Sequence, residues 1–282
     1  MIDQTKFLLH EEDGLPMRQS QEYAKYKLKA LSFYLEVTNT AMRDKWPIRY
    51  YIDLQAGPGK NKIGNSVLLG SPLIALTSPY PATHIRVNEL DPQLNKALQQ
   101  RVHASPYADR VRIYQEDANK VVQDICDEIS NPDINRASLN IAFLDPEGIE
   151  LAWTTVEQLA KINRMDLIIN FSTSGLVRAI GAGHVDAVNR FFGTDRWKEV
   201  DNTSDDPVKR RRSLIDFYRS RLEVFNYKIE IDPNLGGNDI AVNNSKNSQV
   251  YSMIFASKHE LGEKFWRKAA KSVKPPKLPG FD

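Results

Sequence analysis

Short apolar segments alternate along the chain with longer segments in which apolar residues recur every three or four positions. The short segments are rich in β-branched and aromatic residues, which favours strands, and the periodic segments favour amphipathic helices. The predicted strands are 48–54, 84–88, 111–114, 139–144 and 166–171. The predicted helices between them are 71–77, 92–104, 119–129 and 154–162. This alternation predicts an α/β fold, a Rossmann-like doubly wound sheet with helices on both faces.

The pattern changes at both ends of this alternating region. An amphipathic helix over 19–43 precedes it, and a polar, irregular helical pattern follows it from 181 to 221. Two late strands, 227–231 and 250–256, are expected to form an antiparallel pair at one edge of the sheet, before a helix over 260–271. The expected parts are an N-terminal helical extension (1–47), a cofactor-binding core (48–180), a helical lid or insertion (181–225), closing strands and helix (226–273), and a Pro-rich tail (274–282).

The composition is that of a water-soluble globular protein, with 41% hydrophobic and 26% charged residues. No apolar run approaches the roughly 20 residues that span a bilayer, and the acidic N-terminal segment lacks the pattern of a secretory signal. We therefore expect a cytoplasmic protein. The single cysteine, Cys126, excludes an intramolecular disulfide and a zinc site built on cysteine pairs, and its apolar surroundings predict a buried helix residue.

The net charge of +2 gives no overall preference for nucleic acid, so any basic binding surface must be local. One basic run stands out, formed by Lys209, Arg210, Arg211 and Arg212. It could follow the phosphates of a nucleic acid. The alternative is a solvated helix start, because Asp205 and Asp206 precede the run.

The stretch YIDLQAGPGK, residues 51–60, joins the first strand to a glycine loop. It lacks the Lys-Ser/Thr end of a Walker A loop, and Lys62 stands where a dinucleotide-binding loop has its third glycine. What remains is an acid, Asp53, followed by Gly57 and Gly59. This suits S-adenosylmethionine (SAM): glycines allow close approach of its methionine arm, and Asp53 can bind the amino group directly or through water. The alternative is a simple tight turn.

Acidic residues also follow the next two strands. Glu89 is positioned to accept hydrogen bonds from a ribose diol, whereas Asp91 can cap the following helix. Asp117 can accept from an adenine amino group while the backbone N–H of Ala118 meets a ring nitrogen, although Asp117 can equally be a helix N-cap. Three strand ends in order, each with an acid, favour SAM binding over unrelated turns.

The fourth strand ends in FLDPEGI, residues 143–149. A carboxylate on Asp145 would face the transferable methyl group and could orient or deprotonate an acceptor amine, while Pro146 fixes the turn. The alternative is a strand-to-loop turn with an aspartate cap.

With these motifs the chain resembles the three-Cys-motif partner proteins, whose members look like class I SAM-dependent methyltransferases. The similar segments are 51–60, 70–75, 89–92, 117–119, 143–148, 166–171, 254–257 and 265–266. These segments are distributed over most of the chain beyond residue 50. Gln55 stands where the family motif Asp-Leu-Phe-Ala-Gly-Pro-Gly has phenylalanine. The resemblance implies the fold, a SAM site and a companion protein with a three-cysteine motif, but no particular substrate.

Asp145-Pro146 also looks like the start of the Asp-Pro-Pro-Tyr motif of nucleobase amino-methyltransferases, in which an aromatic ring stacks the base. Glu147 and Gly148 depart from that motif, so the ring would have to come from Trp153 or Phe171.

Two classes of function follow from these patterns. The first is a methyltransferase that acts on an amino group of a nucleic acid. The second is a non-catalytic, methyltransferase-like partner or scaffold that works with a second protein. A methyltransferase acting on a protein or a small molecule also fits the sequence.

Overall fold

A seven-stranded sheet dominates the computed structural model, which describes residues 9–202, 204–227, 240–243 and 249–273. Numbered in chain order, five of its strands are β3 Ile48–Asp53, β6 His84–Asn88, β7 Val111–Tyr114, β8 Ser138–Leu144 and β9 Met165–Phe171. The edge pair is β10 Ile240–Asn243 and β11 Gln249–Ala256. The strand order is β10-β11-β9-β8-β3-β6-β7. The five strands from β9 to β7 run parallel, whereas β11 is antiparallel to both β9 and β10.

Helices cover both faces of this sheet because its central strands are apolar on both sides, and parallel strands of this kind are buried by crossover helices. The helices that alternate with the parallel strands are Ser71–Thr77, Pro92–His103, Ala118–Ser130, Pro132–Ala137 and Trp153–Lys161. Thr173–Gly181, Val185–Phe192, Trp197–Asp201, Pro207–Glu223 and Glu260–Ser272 follow the last parallel strand, and Ala108–Arg110 is a short 3-10 turn. Two apolar clusters, one on each face, form the core. The predicted doubly wound sheet is thus confirmed.

The N-terminal helix Ala24–Met42 packs against the last helix, Glu260–Ser272, on one face of the sheet. It begins five residues later than the pattern predicts. Upstream of it lie two short strands, β1 Leu9–His10 and β2 Arg18–Gln19. They pair with a hairpin, β4 Lys60–Ile63 and β5 Ser66–Leu69, in a second sheet of order β1-β5-β4-β2. The polar stretch after the glycine loop is therefore an ordered hairpin.

The helix Pro207–Glu223, within the segment predicted as a helical lid or insertion (181–225), packs on the core. Leu214, Tyr218 and Leu222 of the helix Pro207–Glu223 are buried in one of the two core clusters. The Tyr218 ring meets the rings of Trp153 and Phe171, each at a centroid distance of 5.2 Å. Because this helix buries an apolar stripe against the core, it belongs to the layer that covers the sheet.

The predicted strand 227–231 lies, apart from Tyr227, outside the described residues. The structure has a strand at Ile240–Asn243, which pairs antiparallel with the last strand, β11, with Ile240 opposite Met253. Tyr227 is a loop residue whose hydroxyl donates to the carbonyl of Met165 at 2.9 Å. The expected tail, 274–282, also lies outside the described residues. Within the described part of the chain, no helix combines the length and apolarity needed to cross a bilayer.

Candidate functional site

The glycine loop after β3 has the geometry that its sequence predicts. Gly57 and Gly59 adopt φ values of +65° and +89°, a region that L-residues with a Cβ rarely enter. A Cβ on Gly59 would also lie 3.1 Å from Cγ of Leu73. Arg101 donates to the carbonyl of Pro58 at 2.6 Å, and the N–H of Ala56 donates to the carbonyl of Asn88 at 2.9 Å. The loop is held at the carboxyl edge of the sheet.

Asp53 lies beneath this loop and is completely buried. Its carboxylate accepts from the Tyr51 hydroxyl at 3.2 Å and from the Gln55 N–H at 3.3 Å. Burial, and to a lesser degree the charge of Asp145, raises the pKa of Asp53 from 3.8 to about 7. In this arrangement Asp53 supports the loop from within, and direct contact with a ligand's amino group stays a prediction.

A cleft of about 590 Å³ opens beside the glycine loop, along the ends of β3, β6 and β7. We call it the strand-end cleft. Its lining includes three of the predicted ligand-binding residues, Glu89, Asp117 and Ala118. The sheet brings them together because the carboxyl ends of neighbouring parallel strands meet at one edge.

Glu89 and Asp117 of the strand-end cleft both accept hydrogen bonds from backbone N–H groups. Glu89 accepts from the N–H of Asp91 at 2.9 Å through Oε1. Asp117 caps the helix Ala118–Ser130 by accepting from the N–H of Asn119 at 2.8 Å, so its alternative interpretation as an N-cap is confirmed. Asp91 likewise caps the helix Pro92–His103. A capping carboxylate can still accept a hydrogen bond from a ligand, because each carboxylate has about four lone-pair sites.

Gln55 also lines the strand-end cleft. Neither its amide nitrogen nor its amide oxygen has a hydrogen-bond partner among the described residues, although both atoms are buried. An unpaired buried amide is costly. Gln55 is thus a polar side chain at the cleft wall with which a ligand could form hydrogen bonds.

A second cleft, of about 300 Å³, adjoins the first, and we call it the Asp145 cleft. Arg18 and Glu147 line both clefts. Lys27 donates to Oδ1 and Oδ2 of Asp145 at 2.9 and 2.6 Å, and Asn170 donates to Oδ1 at 2.7 Å. Asp145 is therefore held in one orientation and paired with a positive charge. An aspartate that only caps a turn would not have these side-chain partners. Pro146 lies in the lining next to it, as predicted.

The rings proposed to stack an acceptor base are placed elsewhere. Trp153 and Phe171 are buried in the core cluster, so neither can supply a stacking surface. The aromatic residues of the Asp145 cleft are instead Tyr23 and Tyr251, whose rings meet edge-on at a centroid distance of 5.7 Å. Tyr251 is buried, whereas Tyr23 is partly exposed.

Sequence reasoning missed the residues that complete the Asp145 cleft. Lys27 and Tyr23 belong to the N-terminal helical region, and Lys27 stands 118 positions before its partner Asp145. Asn170 lies on β9, which was predicted as a strand in which Asn170 itself had no role. A charged residue at position 27 of an otherwise apolar helix face was the one available signal.

The basic run lies at the start of the helix Pro207–Glu223, which Asp206 caps through the N–H of Val208 at 2.8 Å. Arg212 pairs with Asp216 at 3.1 Å, and Lys209 is exposed. The four residues of the run do not line either cleft. Their contact with nucleic acid stays a prediction.

A third cavity, of about 320 Å³, lies at the opposite end of the sheet between the helices Ala24–Met42 and Glu260–Ser272. Its lining includes Asp166, which accepts from the Tyr34 hydroxyl at 2.6 Å. Burial raises the pKa of Asp166 to about 6. Ligands of open α/β sheets bind at the carboxyl ends of the strands, so the other two clefts are the candidate site.

Comparison with known proteins finds distant similarity to solved structures. No family model and no curated protein matches the chain. A Legionella pneumophila protein, LPL1258, is 9% identical over 87% of this chain and 90% of its own, with a TM-score of 0.49. An O-methyltransferase from Bacillus cereus, in complex with SAH, is 15% identical over 82% and 80%, with a TM-score of 0.46. The O-methyltransferase TomG from Streptomyces achromogenes, in complex with SAM, is 11% identical over 90% and 94%, with a TM-score of 0.43.

The fold is a Rossmann-like doubly wound sheet, as predicted, with the antiparallel β11 between β9 and β10 at one edge. Similarities as distant as those above add nothing about ligand or reaction. Membership of the three-Cys-motif partner family stays a prediction.

Proposed function

We propose that this protein is a SAM-dependent methyltransferase that transfers a methyl group to an amino group of a nucleic acid. The observation that carries the proposal is the continuity of two clefts at the carboxyl edge of the sheet. One contains Glu89 and Asp117 at neighbouring strand ends, and the other contains Asp145. This supports a cofactor and an acceptor that lie side by side across the strand ends.

The residues of the strand-end cleft fit the chemistry of SAM. Glu89 would accept hydrogen bonds from the ribose hydroxyls, and Asp117 would accept one from the adenine amino group. The bare backbone of Gly57 and Gly59 would lie against the methionine arm. The buried amide of Gln55 offers both a donor and an acceptor to the same ligand. When bound, SAM supplies an electrophilic methyl group on a positively charged sulfur.

The Asp145 cleft would hold the acceptor amine. Asp145 is fixed by Lys27 and Asn170, so its carboxylate can accept an N–H of the amine in a defined direction. Because Lys27 already neutralises its charge, Asp145 acts in this proposal mainly by orienting the amine. The partly exposed ring of Tyr23 provides an apolar surface for a base beside it.

Nucleic acid is the proposed acceptor because the flat base and the phosphate backbone match two separate features. Tyr23 at the Asp145 cleft suits a base, and the basic run 209–212 suits phosphates. The exposed Arg178, which lines the Asp145 cleft, adds a further positive charge near the site.

A non-catalytic, methyltransferase-like partner or scaffold is the second candidate. The observation that favours it is the double ion pair of Lys27 with Asp145, which leaves the carboxylate engaged. A companion protein with a three-cysteine motif would then supply the activity. SAM binding without methyl transfer to nucleic acid, protein or small molecules would identify this case.

Calorimetric titration with SAM tests the proposal. We expect saturable binding by the wild-type protein and a loss of about ten- to hundredfold in affinity for Glu89→Gln, because the variant loses charge-assisted hydrogen bonds to the ribose. Glu157→Gln is the control, since Glu157 pairs with Lys161 on the helix Trp153–Lys161 and does not line the cleft. Wild-type protein that is folded and does not bind SAM would contradict the proposal.

Transfer of a labelled methyl group from SAM to DNA or RNA tests the acceptor. We expect label in nucleic acid, attached to an exocyclic amino nitrogen after digestion to nucleosides. Label that enters only protein or small molecules would contradict the nucleic-acid assignment while leaving the methyltransferase assignment in place.

A further inference from the structure

Arg18 occupies the boundary between the two clefts. The short strand Arg18–Gln19 pairs with the hairpin strand Lys60–Ile63, with Arg18 opposite Asn61. This pairing fixes the Arg18 backbone, and its side chain, 25% exposed, lines both the strand-end cleft and the Asp145 cleft. Nothing in the sequence pattern marks this residue.

The Arg18 guanidinium lies directly on the glycine loop. A Cβ placed on Gly57 would be 3.7 Å from Nε of Arg18 and 3.8 Å from its Cζ. The backbone of Gly57 and the side chain of Arg18 therefore form one continuous surface. It is the surface along which the amino-acid end of SAM would lie if the proposed function is correct.

The present partner of Arg18 is Glu147. Nη2 of Arg18 and Oε1 of Glu147 are 3.4 Å apart, and the Glu147 side chain is 78% exposed. Ion pairs of this exposed kind contribute little to stability, because water and salt screen them. A ligand's carboxylate could therefore replace Glu147 at small cost.

The other charges of the two clefts leave Arg18 as the best cation for such a carboxylate. Lys27 is already bound to both oxygens of Asp145. Arg178 and Arg190 line the clefts but are exposed, whereas the partly buried Arg18 lies against Gly57. A planar guanidinium also matches a carboxylate with two parallel hydrogen bonds.

We propose that Arg18 binds the carboxylate of SAM and exchanges Glu147 for it when the ligand enters. This assignment rests on the proposed function. It adds a residue that selects an intact amino-acid end, and so distinguishes SAM from adenosine ligands that lack the carboxylate.

The test compares two ligands by calorimetry, SAM and decarboxylated SAM, which keeps the sulfonium and the amine. Arg18→Gln should weaken SAM binding by about ten- to hundredfold and change the affinity for decarboxylated SAM by less than about threefold. Arg18→Lys should lose less affinity for SAM, because lysine keeps the positive charge but cannot form the two parallel hydrogen bonds of a guanidinium. Glu147→Gln should bind SAM more tightly, because a competing partner is removed.

Arg136→Gln is the control, since it removes the same charge from an exposed arginine that pairs with Asp133 on a short helix. It should not change the affinity for either ligand. Equal melting temperatures for Arg18→Gln and wild type would verify that the variant is folded.

The outcomes separate this assignment from the proposed function. Wild type that binds neither ligand overturns both. Wild type that binds both ligands, with Arg18→Gln weakening them equally, overturns only the carboxylate contact and makes Arg18 a structural residue. Unchanged SAM affinity in Arg18→Gln also overturns the carboxylate contact. Weaker SAM binding by Glu147→Gln overturns the proposal that the ligand replaces Glu147.

Discussion

Asp53 provides a direct test of how the glycine loop is supported. Its carboxyl is completely buried, and its pKa is raised mainly by that burial from 3.8 to about 7. Replacement by Asn keeps the size and a hydrogen-bonding oxygen but removes the titration. The variant should therefore differ from wild type in how its stability depends on pH.

The magnitude follows from the two pKa values. Because the pKa is higher in the folded state, the folded protein binds the proton more tightly, and the stability this provides is complete below pH 3.8. That contribution is lost as the pH rises to about 7. Each pKa unit corresponds to about 1.36 kcal/mol, so the total is on the order of 4 kcal/mol.

The assay is urea unfolding of wild type and Asp53→Asn between pH 4 and pH 8. The free energy of unfolding of the variant, relative to wild type, should increase by about 4 kcal/mol across this range and then level off. Asp133→Asn, at an exposed ion pair with Arg136, should follow wild type throughout. A constant difference between Asp53→Asn and wild type would refute the burial argument.

Two further predictions concern the strand ends. Asp145→Asn should lower methyl transfer by at least about a hundredfold while SAM affinity stays within about threefold, because the variant loses the charged group that orients the amine. Single-turnover kinetics would measure this, and unchanged transfer would remove Asp145 from the catalytic assignment. Asp91→Ala should lower the free energy of unfolding by about 1 kcal/mol, because Asp91 accepts from the N–H groups of Gln93 and Leu94. Urea unfolding measures the loss, and wild-type stability of this variant would show that the cap is dispensable.

The sheet and its acidic strand ends could be predicted because their signals are local. The strands His84–Asn88 and Val111–Tyr114 have the predicted bounds, since each is a short apolar run next to a clear helix start. Glu89 follows the first of these strands directly and Asp117 lies three positions after the end of the second, so parallel pairing brings them to one edge.

The remaining parts of the site depend on contacts between residues that are distant in sequence. The pairing of Lys27 with Asp145 spans 118 positions, and no local pattern encodes it. The strand that carries Arg18 has two residues, too few for a periodic signal. The helix Pro207–Glu223 is polar on average, which suggested a lid, although its buried stripe with Leu214 and Tyr218 packs on the core. These features depend on tertiary packing, so the local sequence could not predict them.

A crystal structure with bound S-adenosylhomocysteine would show whether the strand-end cleft holds the cofactor. We expect density for the ligand in this cleft, with the ribose hydroxyls at Glu89, the adenine beside Asp117 and the amino-acid end against Gly57. Density confined to another region, such as the cavity beside Asp166 at the opposite end of the sheet, would overturn the proposed SAM site. So would the absence of density in crystals grown with saturating ligand.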